Sequence, residues 1–425
     1  MVRQIAPTAY NSMESPLLLI FVVFVLVKGI ENIVALVNLR HIRQYGHRVP
    51  DGFAGFVDDA TLARMRDYTL DHGRIDLLSS ALDFFITVVF IFGGVLNWYN
   101  SWLTGMGWPL VVTGICFFLF LSYGSFVLQV PFDLYNTFVI EEKYGFNRRT
   151  YSLWLADAAK GLLLTTILSG LLLWVAFLII TAMPDYWWIL LWLFMLFFKV
   201  FMLYISPYVI EPLFNKFTPI ADKSLEEKIK KLLGRAGLSV SRVFTMDASR
   251  RSGHGNAYFS GIGHVKRIVL FDTLLEKNSE DEILGILAHE AGHWKKKHIL
   301  KRLVVMECVS FVALYLAWWF MQNDMLVTIF HISQPTLYVK LLLVGFCGML
   351  AAFPCKPFFS FTSRQHEWEA DRFAVELAGN PHALARALGK LGRDNLANLH
   401  PHPWYITLHY SHPPLPQRVR KLLAG

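Results

Sequence analysis

The chain alternates between long apolar runs and polar intervals. Runs at residues 17–37, 77–96, 109–130, 162–183, 187–210, 303–321 and 337–353 are dominated by Leu, Ile, Val, Phe and Trp. Each approaches or exceeds the roughly 20 residues that cross a bilayer at 1.5 Å rise per residue. They predict seven transmembrane helices. The first run lacks a basic segment directly before it and a small-residue cleavage site after it, so it reads as a span and not as a signal peptide. The short interval at Pro184 makes the fourth and fifth spans a tight hairpin.

Two polar intervals are large enough to fold, 211–302 and the tail after about Ser363. In the first, residues 225–236 carry helical apolar spacing with a basic face. Residues 242–246 and 267–271 read as short strands rich in Val, Ile and Phe. Between them, residues 250–263 place glycines around the apolar stretch Ala257-Tyr-Phe259, which predicts a hairpin with an exposed edge. Ser279-Glu-Asp-Glu282 is a helix start, a serine cap followed by first-turn carboxylates. That helix is expected to run through 288–302 and on into the sixth span. Two spans separate the folded intervals, so both emerge on one face and can build one site. The chain divides into a five-span region (1–210), a first soluble part (211–302), spans six and seven (303–362) and a second soluble part (363–425).

Charge orients this arrangement. Of 40 Lys and Arg residues, 36 fall in the intervals 38–76, 131–161, 211–302 and 354–425, and none in 97–108, 184–186 or 322–336. The positive-inside rule then puts the N-terminus outside and the C-terminus, with both soluble parts, in the cytoplasm. Hydrophobic residues make up 54% of the chain and charged ones 17%, with mean hydropathy +0.41, far too apolar for a soluble protein of this length. The basic balance is therefore a topology signal with attraction to anionic lipid, and no nucleic-acid partner is expected. Cys116, Cys308, Cys347 and Cys355 show no paired spacing and read as small buried residues. Lys28, Glu31, Asp83, Lys199, Glu307 and Lys340 lie inside spans. Such residues should face one another or a watery interior, although Lys340 and Lys199 could also snorkel to the interface.

The chemistry concentrates in His289-Glu-Ala-Gly-His293. Spacing of four puts both imidazoles on one helical face, able to share a Zn²⁺, with Glu290 placed to take a proton from the bound water. The plainer alternative is two solvated histidines on a basic helix. A catalytic zinc site needs a third protein ligand and one open position. In Ser363-Arg-Gln-His-Glu-Trp-Glu-Ala-Asp-Arg372, Glu367 and Asp371 are four apart while Glu369 points elsewhere. Glu367 as ligand and Asp371 as the acceptor orienting a ligand histidine fit this chemistry. An ordinary charged helix start, with Asp371 paired to Arg372 or Arg364, fits the spacing too. Glu307 is a competitor, but it sits within a span. His412, before Pro413-Pro414, could donate to an oxyanion, and spacing does not separate it from His400, His402 and His409.

Together these stretches resemble the type I CAAX prenyl proteases, seven-span zinc endopeptidases of the endoplasmic reticulum with bacterial relatives. The resemblance rests on Glu141-Glu-Lys-Tyr-Gly-Phe-Asn147, Pro212-Leu-Phe-Asn-Lys-Phe-Thr-Pro219, Ser252-Gly-His-Gly-Asn-Ala-Tyr-Phe259, Lys266-Arg-Ile-Val-Leu-Phe-Asp-Thr273, the zinc motif and the Glu367–Asp371 segment, and it spans nearly the whole chain. It implies a mainly α membrane protein whose seven helices enclose a hydrated chamber, with a small α+β, gluzincin-like zinc protease domain on the cytoplasmic face. It implies one Zn²⁺ per chain, Glu367 as third ligand, Asn256 and Ala257 on an edge strand that binds the substrate backbone, and His412 near the scissile carbonyl. The substrate it implies is a CAAX peptide with a prenylated cysteine, or another membrane-associated protein. Short loops between late spans look more like the bacterial members and favour a bacterial inner membrane, with the endoplasmic reticulum as the counterpart in a eukaryote. A membrane-protein quality-control protease is the alternative, and a catalytically silent scaffold a further one; the intact Glu290 speaks against the latter.

Overall fold

The structure, a computed structural model, describes residues 8–260 and 265–424. Among these, seven helices are long and apolar enough to cross a membrane: Pro16–Tyr45, Asp59–Phe92, Leu110–Glu141, Tyr151–Ala182, Trp187–Phe214, His298–Met321 and Leu337–Ala378. Each coincides with one predicted run. Where a helix clearly outlasts its run, the extension lies at the end nearer the zinc motif. These extensions carry charged and mixed residues, so apolar run length does not report them. They stand as stalks beneath the soluble elements.

The opposite end is closed by short helices where loops were expected. Gly94, with φ 85°, turns the chain out of the second span into helix Val95–Thr104, and Met325–Ile329 follows the sixth span. Leu96, Tyr99 and Leu103 share a helical face and pack with Leu326, Val327, Phe330 and Tyr338 into a second core. Asn100 ties this cap together, donating to Gln334 O at 2.9 Å and accepting from Thr336 Oγ1 at 2.6 Å.

Between the two ends the spans pack sparingly. Protein buries none of the apolar window of the fifth span and at most 28% of any span's. The remaining surface faces lipid or the interior. A cavity of about 590 Å³ opens between the first two spans and the tail, lined by polar groups including Glu31, Asn38, His72, Asp76 and Ser80. The intramembrane charges are paired. Lys28 lies 3.8 Å from Glu31 and 3.6 Å from Asp83. Lys356 reaches Glu31 at 2.8 Å, Lys199 reaches Glu307 at 2.7 Å and Lys340 reaches Asp324 at 2.6 Å. Lys199 thus bridges two spans rather than snorkelling.

The soluble part contains a four-stranded sheet of β1 (Phe217–Pro219), β2 (Ser239–Met246), β3 (Ala257–Ser260) and β4 (Val265–Phe271), in the order β1-β2-β4-β3. β2 and β4 run parallel; β1–β2 and β3–β4 are antiparallel. β3 is an edge strand, as the hairpin reading expects, and the glycines of 261–263 lie outside the described residues. One face of the sheet packs Val243, Ile268 and Leu270 into a core shared with helix Lys223–Arg235, the motif helix and the tail. Met65 and Ile140 from the stalks, with Phe53 and Phe146 from the loops beside them, enter the same core, which anchors the soluble part to the membrane region.

Candidate metal centre

The motif helix (Glu280–Lys295) begins with the expected capping box, Ser279 and Glu282 each bonding the other's backbone. Its buried Ile283, Ile286 and Leu287 fix its rotation. The facing helix, Lys356–Ala378, approaches it very closely at Gly292. A Cβ at that position would lie 2.9 Å from Ala370 Cα. This small-residue crossing brings Glu367 and Asp371, one turn apart, over His289 and His293.

His289 Nε2 and His293 Nε2 are 3.2 Å apart, and each lies 3.3 Å from a different oxygen of Glu367. One donor atom from each of the three residues falls within 4.8 Å of the others. The outer nitrogens explain this convergence. His289 Nδ1 is 2.8 Å from Asp371 Oδ1, so it donates there and leaves its Nε2 lone pair inward. His293 Nδ1 meets His298 Nδ1 at 3.1 Å, and His298 Nε2 meets Glu369 Oε2 at 3.0 Å. Glu369 thereby holds the proton of His298 on Nε2, so His298 Nδ1 accepts from His293, whose Nε2 lone pair also turns inward. Two lone pairs and a carboxylate facing one another repel unless a cation or a proton lies between them. Glu367 Oε2 is buried without a hydrogen-bond donor, with the Arg418 guanidinium 3.5 Å away, which leaves room for a ligand role. The donor set is one that fits Zn²⁺. Burial lowers the His289 imidazole, but Asp371 and Glu367 outweigh it and raise it to about 9, so a metal must displace a proton there.

Sequence reasoning missed Arg418 and His298. Arg418 is 5% exposed and grips Asp371 through Nε at 2.9 Å and one terminal nitrogen at 2.7 Å, a bidentate pair. Asp371 therefore pairs with Arg418, not with Arg372 or Arg364. The available signal was its position on the apolar face of helix Leu415–Leu423, beside the buried Val419 and Leu422. His298 is turned back toward His293 because the helix does not continue into the sixth span as expected. Lys297 adopts a left-handed conformation, φ 58°, and the span restarts at His298. Glu307 belongs to Lys199 and stands outside the cluster.

Glu290 accepts no hydrogen bond among the described residues, and burial pushes its carboxyl up against the pull of His289 and His293. Of His400, His402, His409 and His412, the last reaches the cluster, its Nε2 3.3 Å from Glu367 Oε1. His400 contacts Arg48 O, His402 lies against His41, and His409 stacks on Tyr405. The His412 side chain is 61% exposed, and partial desolvation beside the cluster holds its imidazole below its ordinary value against the opposing pull of Glu367.

Ala257 opens β3, and Asn256 precedes it, its side chain accepting from Ala257 N at 2.8 Å and its carbonyl from Phe271 N at 3.0 Å. The segment before them docks on the end of the third span. Asn147 and Ser252 form a β-bridge, the rings of Phe146 and His254 stack at 4.1 Å, and Arg251 pairs with Asp157 through two nitrogens. His254 lies 3.3 Å from Glu141 and 3.2 Å from Asn395, which also accepts from Gly255 N. Glu141 itself accepts from Tyr68 and meets His72.

Comparison with known proteins agrees with this architecture. Residues 38–216 match the family described as "CAAX prenyl protease N-terminal, five membrane helices", and residues 219–424 match peptidase family M48. The chain is 33% identical to the CAAX prenyl protease 1 homolog of Oryza sativa, covering 88% of this chain and 90% of that protein. It is also 33% identical to CAAX prenyl protease 1 of Saccharomyces cerevisiae, covering 88% of each, and to the Homo sapiens homolog, covering 90% of each. The crystal structure of S. mikatae Ste24p superposes with a TM-score of 0.88 at 30% identity, covering 96% of this chain and 98% of that one. The chain belongs to peptidase family M48 and is a multi-pass membrane zinc metallopeptidase.

Proposed function

We propose that His289, His293 and Glu367 hold one zinc ion per chain, and that the site cleaves CAAX-type C-terminal peptides carrying a prenylated cysteine. The convergence of two inward imidazole nitrogens and a buried carboxylate carries the reading. When bound, the cation supplies Lewis acidity to the attacking water and to the scissile carbonyl. Glu290, its carboxyl raised by burial, takes the proton from that water and returns it to the departing amine. His412, kept neutral, donates a hydrogen bond to the developing oxyanion. The free edge of β3 at Asn256 and Ala257 receives the substrate backbone as an added strand beside the motif helix. Asp371, held by Arg418, keeps His289 in its ligating tautomer.

The substrate class rests on similarity to the named CAAX prenyl proteases and on a polar intramembrane space beside a membrane-proximal site. The soluble pieces 211–302 and 363–425 act as one catalytic unit on the basic, cytoplasmic face, with the N-terminus outside. That topology is the same for a bacterial inner membrane, favoured by the compact loops, and for the endoplasmic reticulum. The test incubates purified protein with a farnesylated CAAX peptide and with an unmodified helical membrane peptide. Cleavage of the first is expected, with Glu290→Gln retaining zinc while losing about 10²–10⁴-fold in kcat. Cleavage of the helical peptide alone would replace prenyl processing by membrane-protein quality control.

A further inference from the structure

A second site lies on the other face of the sheet, facing away from the shared core. A cavity of about 740 Å³ opens between β1, β2 and β4 and the soluble end of the fifth span. Five cations line it: Lys160, Lys216, Arg242, Arg250 and Arg267. Among the described residues no carboxylate does. The nearby acids are engaged elsewhere: Glu211 accepts from Tyr258, Asp157 from Arg251, and Asp247 from the Lys216 amide. Arg267 is positioned without being neutralised. Its guanidinium lies 4.2 Å from the Phe217 ring and 4.5 Å from that of Phe244, donates to Pro207 O at 2.6 Å, and has a buried Nε with no acceptor. Lys160 is likewise held by a backbone carbonyl, Leu213 O at 2.8 Å. Five cations lining one pocket repel one another, so the pocket gains from an anion.

Its position identifies the anion. Pro207, Tyr208, Leu213 and Phe214 of the lining belong to the fifth span or its last turns, and Lys160 to the early turns of the fourth. Tyr208, Val209 and Leu213 are 60%, 51% and 47% exposed, an apolar rim where the apolar run of the fifth span gives way to polar sequence. The geometry points to a binding site for the phosphate headgroup of an anionic phospholipid, whose tails lie along the fifth span. The site is separate from the metal centre, and its occupancy does not depend on the identity of the peptide substrate.

Native mass spectrometry of the full chain, released from mixed micelles of phosphatidylglycerol and phosphatidylcholine, tests this. Wild type should retain phosphatidylglycerol in preference to phosphatidylcholine. Each exposed cation removed should weaken retention about fivefold, so Arg242→Ala/Arg250→Ala should lose roughly 25-fold and Lys216→Ala alone about fivefold. Lys231→Ala/Arg235→Ala removes the same charge from a remote helix and should retain lipid as wild type does. Equal loss in both double variants, or equal retention of the two lipids, overturns the site. Displacement of the lipid by inorganic phosphate at millimolar concentration would assign the pocket to a soluble phosphate and overturn the lipid assignment.

Discussion

His298 shows how much of the proposed metal centre lies beyond the three residues whose donor atoms converge. The paired histidines and Glu290 were legible because four-residue spacing on a helix dictates a shared face. Glu367 and Asp371 were legible as a pair, but their partners were not, since the chain brings Arg418 and His298 to them only through tertiary packing. The bonds to His293 and Glu369 give His298 a definite task. His298→Phe keeps ring volume but removes the acceptor for His293 Nδ1, so zinc affinity should fall by about 10–100-fold, with Glu369→Gln falling in the same direction. Chelator-buffered zinc titration reads this; unchanged affinity in both variants would remove His298 from the site. Proton linkage provides a second check. With His289 raised to about 9 in the metal-free protein, zinc must expel a proton at neutral pH. Affinity should therefore rise about tenfold per unit between pH 7 and 9, and calorimetric heats should depend on the buffer's ionisation enthalpy.

At the scale of elements, the decisive feature is the contact of two helices at Gly292 and Ala370. The sequence announces both helices, but nothing in their periodicity says that they touch there. Gly292→Ala puts a methyl where Ala370 Cα stands 2.9 Å away, with backbone on the other side. It should destabilise by about 1–3 kcal/mol and loosen zinc, read as a lower thermal midpoint with a wild-type circular dichroism spectrum. A midpoint equal to wild type would mean the crossing has slack. The helix break at Lys297 was illegible for a related reason: three consecutive lysines have ordinary helix propensity, and the left-handed turn is set by the packing of His298. The Glu141-Glu-Lys-Tyr-Gly-Phe-Asn147 and Ser252-Gly-His-Gly-Asn-Ala-Tyr-Phe259 motifs, separate in sequence, are two halves of one joint. The π-helical turn Asn136–Glu141 presents Glu141 to His254, and His254 with Asn395 sets the start of the edge strand. Asn395→Ala leaves Gly255 N without its acceptor, which should raise KM roughly tenfold while kcat and zinc content stay near wild type. A fall in kcat at constant KM would instead place Asn395 with the reacting groups.

At the scale of the whole molecule, apolar run length revealed seven spans, and the Lys/Arg asymmetry proposes their sidedness. They could not reveal the interior, because an apolar run reads the same against lipid, against another helix or beside a cavity. The charged residues within the runs carried that information, since each implies a partner or water. Lys199 and Glu307 test it most directly, as they tie the fifth and sixth spans together. Their environments differ: the Glu307 side chain is 9% exposed and that of Lys199 38%. Removing the lysine leaves a carboxylate with little access to water, whereas removing the glutamate leaves an ammonium that can still hydrate. Lys199→Met should therefore destabilise by about 3–5 kcal/mol and Glu307→Leu by clearly less. The double variant Lys199→Met/Glu307→Leu should recover most of the loss, because two apolar side chains of similar volume close the same gap. Thermal unfolding in one detergent ranks the three. If the double variant is no more stable than Lys199→Met, the pair does not close two packed spans; it lines open, hydrated space, and the chamber extends down to the fifth and sixth spans.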